Sequence, residues 1–358
     1  FTTTPDATDR NVYQDEFVHW VTTQFPSAFA GSSARVLFSM DNEPDLWAFT
    51  HERIHPDPVG YAELVDKNVE FAAAVKSVAP NAWVTGFVSY GYAGYITLQD
   101  APDQQGEFIR YYLDAMAEAE QSEGMRLVDV LDLHYYPQAK GVGVGADGQT
   151  DPDTNALRIR STRSLWDPRY LDESYVKEPV RLIPRMQEWV DKYYPGLKLS
   201  IGEYNFGAER HMSGGLALAE ALGRFGQNGL YSAFYWTYPP ENSPAFWAFR
   251  AYRNYDGKGG RFQDVSLPTE APRDLSLFAA RSTDGRTLSL LLLNTSTTET
   301  FEASINLKGC AAPLAQRVFT YVGDPRGFVE RESRLGKAYR APPSSMTVVE
   351  VQLPGLLK

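Results

Sequence analysis

The sequence predicts an α/β fold: a parallel sheet with crossover helices, followed by a small antiparallel β-sandwich. Five short apolar segments alternate with amphipathic segments between residues 34 and 255, which is the pattern of a parallel sheet. The strand segments are apolar on both faces, as expected where helices cover both sides. After the glycine-rich stretch at residues 254–260 the strands become short and alternating. We therefore expect two domains, residues 1–260 and residues 261–358.

Element boundaries in the first domain follow from helix caps and breakers. Thr8 and Asp9 precede an amphipathic run at residues 12–25 that Pro26 ends, which predicts the first helix. Further helices are predicted at residues 60–78, 105–120, 180–194, 213–225 and 245–252. Strands are predicted at residues 34–40, 82–88, 128–135, 197–201 and 231–238. Residues 138–178 are rich in Gly and Asp, so we expect a long ordered loop there, a kind of segment that is usually functional.

Turn signals separate the strands of the second domain. Two of them are Asp284-Gly285 and Gly323-Asp324-Pro325. Between such turns, strands are predicted at residues 275–281, 288–294, 302–306, 316–321 and 346–353. This spacing is typical of a β-sandwich of about 100 residues.

Composition excludes several classes of function. The 358 residues include 34 Lys and Arg against 45 Asp and Glu, a net charge of −11 that argues against nucleic acid and anionic membranes as partners. The only cysteine, Cys310, excludes a multi-cysteine metal site, and we expect it to pack as a small apolar residue. The chain is rich in aromatic residues, with seven Trp, 21 Tyr and 19 Phe. Many of them can pack in a hydrophobic core, but an acidic chain of this composition is also typical of sugar-binding proteins.

Two carboxylates are the main candidates for chemistry. Glu43 and Glu203 each stand just past a predicted parallel strand, and parallel strands carry functional residues at their carboxyl ends. Two converging carboxylates can cleave a glycosidic bond, one as a proton donor and the other as a nucleophile or base. A retaining pair requires carboxyl groups about 5–5.5 Å apart. The alternative is that the two are unrelated surface carboxylates.

Neighbouring residues favour the catalytic interpretation. Asn42 could bind a sugar hydroxyl, and Trp236, at the end of the last strand, is either a stacking platform or a core residue. His134 and Tyr136 end the middle strand, where His134 is either functional or a buried, hydrogen-bonded histidine. His51 and His55 lack the carboxylate of a helical zinc motif, and we predict no metal ligands.

Other functions fit less well. The chain has neither a glycine-rich phosphate loop at nucleotide-binding spacing nor a Gly-x-Ser-x-Gly elbow. An isomerase on a barrel would need a metal cluster or a phosphate site that the sequence does not offer. A non-catalytic glycan-binding protein, which would keep the aromatic residues without a working acid/base pair, stays open as the competing function.

Four segments carry a resemblance to a known family. Residues 39–47, with the letters SMDNEPDLW, resemble the acid/base segment of glycoside hydrolase family 44, and IGEYN at residues 201–205 resembles its nucleophile segment. SLWDP at residues 164–168 and YRNYDGKGG at residues 252–260 are also similar to this family. The similarity extends to about residue 300.

The resemblance implies a fold, an activity and a set of site residues. It implies a (β/α)8 TIM-type barrel joined to an all-β sandwich domain, and a retaining endo-acting enzyme that cleaves neutral β-1,4-glucans, including xyloglucan, without a cofactor. Glu43 would be the acid/base and Glu203 the nucleophile. The expected substrate-binding residues are Asn42, Trp47, Tyr90, Tyr92, His134, Tyr136, Trp166, Tyr204 and Trp236. A structural calcium ion is an open alternative that no contiguous ligand pattern supports. Family membership also implies a secreted protein.

One departure from the family pattern concerns the length of the barrel. In such barrels the acid/base follows strand four, so residues 1–260 would supply strands four to eight only. The first three strands and their surroundings would add about 130–150 residues. Since the chain opens at Phe1, we expect a processed or incomplete N-terminus and a complementary N-terminal fragment of the same protein as a partner.

Overall fold

Two compact units make up the described part of the chain. A computed structural model describes residues 4, 6, 8–9, 11–30, 36–144, 147–306 and 312–354, and the expectation for Cys310 lies outside these residues. The first unit contains residues 1–135, 183–204 and 230–234, and the second contains residues 136–182, 205–229 and 235–358. The predicted boundary at residue 260 falls inside the second unit, so the division at that residue stays a prediction.

A five-stranded sheet forms the centre of the first unit. Its strands are β1 (Leu37–Ser39), β2 (Trp83–Ser89), β3 (Val130–Tyr135), β4 (Lys198–Tyr204) and β5 (Ser232–Tyr235). They lie side by side in sequence order, and the pairings from β1 to β4 are parallel. All five predicted strands are therefore confirmed. Two ends were wrong: β4 continues to Tyr204, so Glu203 lies within the strand and not past its end, and β5 ends at Tyr235, before Trp236. Residues 34 and 35 of the first predicted strand lie outside the described residues.

Nine α-helices occur among the described residues. They are α1 (Gln14–Gln24), α2 (Trp47–Thr50), α3 (Tyr61–Val78), α4 (Tyr92–Thr97), α5 (Phe108–Glu123), α6 (Pro152–Ser161), α7 (Leu182–Tyr193), α8 (Met212–Gln227) and α9 (Pro244–Tyr252). Six of them are the predicted helices, with ends that differ by a few residues. The predicted loop at residues 138–178 was wrong in one respect, because it contains α6 and a 3-10 turn at Thr162–Leu165. Asp151 caps α6 by accepting a hydrogen bond from the Thr154 amide at 3.0 Å.

The sequence of α5 shows why these helices form and which face they bury. Its buried residues recur at three- and four-residue spacing, which gives the helix one apolar side. Phe87 of β2 packs against that side, with its ring 4.7 Å from Phe108 and 5.1 Å from Tyr112. Gly124 ends the helix in the left-handed region at φ 68°, where glycine is tolerated without strain.

The second unit contains the antiparallel strands. They are β6 (Val265–Leu267), β7 (Leu275–Arg281), β8 (Thr287–Asn294), β9 (Phe301–Ala303), β10 (Ala315–Tyr321), β11 (Val329–Arg331), β12 (Tyr339–Ala341) and β13 (Ser345–Gln352). Six form one sheet in the order β11-β10-β13-β8-β7-β6, and β12 pairs with β9. The five predicted strands are confirmed, although β9 ends at Ala303 and is shorter than predicted. The three-residue strands β6, β11 and β12 were not predicted.

Arg158 organises the long segment of the second unit. Its side chain is fully buried, and its nitrogens donate to the carbonyl oxygens of Phe206 at 2.9 Å and Gln149 at 2.7 Å and to the Ser213 hydroxyl at 2.8 Å. The weaker contact to the Gly141 carbonyl measures 3.5 Å. The Arg158 guanidinium therefore joins residues 138–178 to Phe206 and Ser213, and the Ser213 hydroxyl adds a 2.8 Å hydrogen bond to Asn155 Oδ1. None of the helices in the described chain is long and apolar enough to cross a membrane.

Packing of α5 in the core predicts a large effect of shortening Leu113. This side chain is fully buried, so Leu113→Ala should lower the free energy of unfolding by about 2–5 kcal/mol, measured by urea denaturation. Ile54, in the same unit, is 83% exposed and serves as the control; Ile54→Ala should change the same quantity by less than about 0.5 kcal/mol. Equal effects of the two substitutions would contradict this packing.

Candidate active site

Glu43 sits in a backbone turn that the neighbouring strand fixes. It follows β1 by four residues and adopts the left-handed conformation at φ 46°. Its amide donates to the Val88 carbonyl at 3.0 Å, and its own carbonyl accepts from the Leu46 amide at 2.8 Å. A non-glycine residue in this conformation is uncommon and persists only where surrounding contacts hold it.

Glu203 is placed by β4 and by the glycine before it. In the parallel pairing of β3 with β4, Glu203 lies opposite His134. A Cβ atom on Gly202 would come within 2.7 Å of an oxygen of the buried Asp132 carboxyl, so only glycine fits there. Burial raises the pKa of Asp132, whose Oδ1 has no hydrogen-bond partner among the described residues.

The imidazole of His134 brings the two carboxylates together. Its Nδ1 lies 2.8 Å from Glu43 Oε1 and 3.4 Å from Glu203 Oε2. The His134 side chain is 1% exposed, whereas those of Glu43 and Glu203 are 23% and 18% exposed, so the carboxylates can be reached from solvent. Both contacts converge on the same ring nitrogen, so His134 bridges the two carboxyl groups.

Support for His134 comes from β3 and α4. The hydroxyl of Tyr95, on α4, donates to the backbone carbonyl of His134. Tyr95 is itself buried. The strand therefore keeps its position at the histidine, and α4, which the sequence did not predict, provides this contact.

Geometry also bears on metal binding. Glu43, His134 and Glu203 each offer one ligand atom, and these three atoms lie within 4.8 Å of one another. Two ligands of a tetrahedral zinc ion, bound at about 2.0–2.1 Å, are separated by roughly 3.3 Å. The 2.8 Å between Nδ1 and Glu43 Oε1 is shorter than that and has the length of a hydrogen bond. The arrangement thus favours proton chemistry over metal binding.

Most of the other predicted site residues belong to the same unit. Asn42 is exposed, and the ring of Trp47 lies 5.4 Å from that of His55. The Tyr90 hydroxyl donates to Gln99 Oε1, and the Arg185 guanidinium lies 5.9 Å above the ring of Tyr92.

Tyr204 differs from these residues because its ring is buried. It is 1% exposed, and burial raises the pKa of its hydroxyl. A ring in this position presents no open face on which a sugar could stack.

Three predicted residues, Tyr136, Trp166 and Trp236, belong to the second unit. The indole of Trp166 is covered on one face by the Arg224 guanidinium at 3.9 Å, so stacking of a sugar on that face would displace Arg224. Trp236 is 46% exposed, and its carbonyl accepts a hydrogen bond from the Asn205 side chain. The roles of these three residues in binding stay predictions.

Asp45 is a site residue that the sequence did not reveal. It follows Glu43 by two residues, is 5% exposed, and accepts hydrogen bonds from the Ser89 hydroxyl at 2.6 Å and the Tyr90 amide at 3.2 Å. Burial raises the pKa of Asp45 to about 7, against an ordinary value of 3.8, and the charge of Glu43 adds to this shift. The signal that could have revealed it is Pro44, which starts a 3-10 turn and directs Asp45 inward.

Comparison with known proteins gives consistent similarities. The model of glycoside hydrolase family 44 matches residues 1–139. Endoglucanase A of Paenibacillus lautus is 38% identical over 336 residues, which are 90% of this chain and 48% of that protein. This chain thus spans about half the length of that curated relative.

Solved structures show the same similarity. A Paenibacillus polymyxa xyloglucanase from family 44, solved with xyloglucan, superposes with a TM-score of 0.89 at 34% identity over 98% of this chain and 73% of that chain. A family 44 endoglucanase from Clostridium thermocellum gives a TM-score of 0.89 at 36% identity, with the same coverage. These similarities confirm the predicted fold class, a partial (β/α)8 barrel followed by a β domain.

Burial of Asp45 predicts a specific pH dependence of stability. In the folded chain the pKa of Asp45 is about 7, whereas in the unfolded chain it returns to about 3.8. Between these values only the folded state keeps the proton, so this group lowers stability as pH rises from 4 to 7. Asp45→Asn should therefore reduce the decline of the unfolding free energy between pH 5 and pH 8, by about 1–4 kcal/mol. Urea denaturation at both pH values measures this, and equal declines in the two proteins would contradict it.

Proposed function

Since this chain belongs to glycoside hydrolase family 44, we propose that it is a retaining, endo-acting enzyme that cleaves β-1,4-glucan backbones. In this proposal Glu203 is the nucleophile and Glu43 is the acid/base. The two roles follow from the positions that the matching segments occupy in this sequence. The observation that carries the proposal is the approach of the two carboxylates around His134.

The separation of the carboxylates distinguishes two stereochemical outcomes. An oxygen of Glu43 and an oxygen of Glu203 lie within 4.8 Å of each other. Retaining enzymes hold their carboxyl groups about 5–5.5 Å apart, whereas inverting enzymes need about 6.5–9.5 Å to admit a water molecule. The short distance supports a double displacement with retention at the anomeric carbon.

The first step forms a covalent intermediate. A carboxylate oxygen of Glu203 attacks the anomeric carbon while the bond from that carbon to the glycosidic oxygen breaks. Glu43 donates its proton to the departing oxygen, so the leaving sugar departs as a neutral alcohol. The product of this step is a glycosyl ester on Glu203 and an ionised Glu43.

In the second step Glu43 acts as a base and Glu203 is the leaving group. Ionised Glu43 removes a proton from a water molecule, whose oxygen attacks the anomeric carbon and releases Glu203. Two inversions at one carbon give net retention. His134 contributes by orientation: its Nδ1 contacts both carboxylates, at 2.8 Å and 3.4 Å, and so fixes the position of one relative to the other.

The substrate proposed is a neutral β-glucan. The net charge of −11 disfavours polyanionic polymers, and the names of the relatives describe an endoglucanase and a xyloglucanase. Asn42, Trp47, Tyr90 and Tyr92, all in the first unit, are proposed to bind it. The binding roles of Tyr136, Trp166 and Trp236 stay predictions. A polymer of this size is degraded outside cells, and we propose that the protein is secreted.

The competing function, glycan binding without catalysis, is not favoured. Such a protein has no need to hold two carboxylates around one imidazole nitrogen, an arrangement that costs electrostatic repulsion. Aromatic side chains alone would suffice for binding. The geometry around His134 therefore supports an enzyme.

Open sheet edges support a further part of this proposal. Among the described residues β1 pairs only with β2, and β5 lies beside β4 only, so five strands do not close into a barrel. Phe234 on β5 and Trp20 on α1 are 58% and 56% exposed. We propose that another segment of the same protein supplies the remaining strands and covers these surfaces.

Substitution of the two carboxylates tests the catalytic roles. Glu203→Gln should abolish activity on xyloglucan and on dinitrophenyl β-cellobioside, because both need the nucleophile. Glu43→Gln should lower the rate on xyloglucan by about 10²–10⁴-fold, whereas formation of the intermediate from the dinitrophenyl substrate should be nearly unchanged, because its leaving group needs no proton. Reducing-end and dinitrophenolate assays measure these rates.

Azide and a surface control complete this test. Azide should accelerate Glu43→Ala on the dinitrophenyl substrate and give a β-glycosyl azide, since azide replaces the base-activated water. Glu118, an exposed residue of α5, is the control, and Glu118→Gln should keep wild-type rates. Full activity of either the Glu43 or the Glu203 variant would exclude the mechanism.

Mass measurements test the proposal for the remaining strands. If another segment closes the barrel, the active protein should show a native mass above the 40.1 kDa of this chain. Adding three strand–helix units and their surroundings gives about 55–60 kDa. Native mass spectrometry and denaturing electrophoresis of the purified active protein provide the comparison. A cooperatively folded, active monomer of 40.1 kDa would contradict the proposal.

A further inference from the structure

Asp45 connects the turn that carries Glu43 to two other elements. Its carboxylate accepts from the Ser89 hydroxyl at 2.6 Å and from the Tyr90 amide at 3.2 Å, and both of these residues stand at the end of β2. These partners are neutral, and no Lys or Arg of the described chain forms an ion pair with Asp45. The free-energy cost of removing the Asp45 carboxyl from water is therefore offset by these two hydrogen bonds, which form only when Ser89 and Tyr90 keep their positions.

Helix α4 closes over the same carboxylate. A Cβ atom on Gly94 would lie 1.8 Å from Asp45 Oδ2 and 2.3 Å from Ser89 Oγ. The first turn of α4 thus approaches the carboxylate so closely that no side chain fits between them. Asp45 is held between the end of β2 and the backbone of α4.

Two anchors on β2 therefore enclose Glu43. The first is the hydrogen bond from the Glu43 amide to the Val88 carbonyl at 3.0 Å. The second is the Asp45 side chain on Ser89 and Tyr90, the next two residues of the neighbouring strand. Between these anchors Glu43 keeps its left-handed conformation at φ 46°, which sets the direction in which its side chain leaves the backbone. The carboxyl group at the end of that side chain meets His134 Nδ1 at 2.8 Å.

From this geometry we infer that Asp45 is a positioning residue for proton transfer by Glu43. It contacts neither substrate nor reacting atoms and acts through the backbone of the turn. The inference rests on the proposed function, since it takes Glu43 to be the acid/base. A displacement of about 1 Å at a proton donor can cost roughly 10²-fold in rate, so a loss of the Asp45 anchor should affect the steps in which Glu43 moves a proton.

Asp45→Ala tests this role because it removes both hydrogen bonds. The rate on xyloglucan should fall by about 10–100-fold. Formation of the intermediate from dinitrophenyl β-cellobioside, measured as a burst of dinitrophenolate, should fall by less than about 3-fold, because this step needs no proton. Azide should accelerate this variant far less than Glu43→Ala, because the Glu43 carboxylate is still present and repels the anion.

A conservative variant and a matched control separate positioning from folding. Asp45→Asn keeps an acceptor for the Tyr90 amide and should recover xyloglucan activity to within about 5-fold of wild type. Asp172 is equally buried and has partners of the same kinds, the Ser164 hydroxyl at 2.6 Å and the Ser174 amide at 2.9 Å. Asp172→Ala should change the rates on the two substrates by the same factor.

The outcomes distinguish this inference from the proposed function. Equal losses on the two substrates in Asp45→Ala would overturn the positioning role. A larger loss on xyloglucan than on the dinitrophenyl substrate in Asp172→Ala would overturn it as well. If Glu43→Gln loses activity equally on the two substrates, the proposed function fails instead. Should Asp45→Ala not fold, Ser89→Ala is the second variant; it removes the 2.6 Å hydrogen bond to Asp45 and the weaker 3.4 Å contact with the Gly91 carbonyl. A larger loss on xyloglucan than on the dinitrophenyl substrate supports the positioning role, and equal losses exclude it.

Discussion

Parallel pairing from β1 to β4 is the constraint on which the rest of the site depends. It brings the carboxyl ends of the strands to one edge of the sheet, so residues far apart in sequence meet there. Glu43 and His134 are separated by 91 positions, yet their side chains are 2.8 Å apart. Three further features help to place side chains at this edge. They are the left-handed turn at Glu43, the glycine before Glu203 and the burial of Asp45.

Much of this arrangement could be predicted because it depends on local pattern. Buried parallel strands are short apolar runs, and the five predicted runs are the five strands of the sheet. Glu43, His134 and Glu203 could be found because strand ends are visible in sequence. The end of β4 was misjudged by a few residues, because Gly202 looks like a terminator but is there to admit the Asp132 carboxyl.

Other features could not be predicted because they depend on contacts between distant segments. Helix α4 has only six residues, too few for a recognisable period. Its contribution to the site comes from the contacts of Tyr95 with His134 and of Gly94 with Asp45. Asp45 looks like an ordinary polar residue of a turn, and its burial depends on β2 and α4. Trp166 looks like a sugar platform in sequence, whereas its packing against Arg224 becomes visible only when α8 is in place.

The way Arg158 holds the long segment has a consequence for variation in this protein. Its contacts with Gln149 and Gly141 go to backbone carbonyl oxygens, which every amino acid provides. Side chains along that segment can therefore be exchanged without loss of these two contacts. Because these contacts go from one cation to main-chain atoms, substitutions on the exposed side of the segment leave its path through the unit in place.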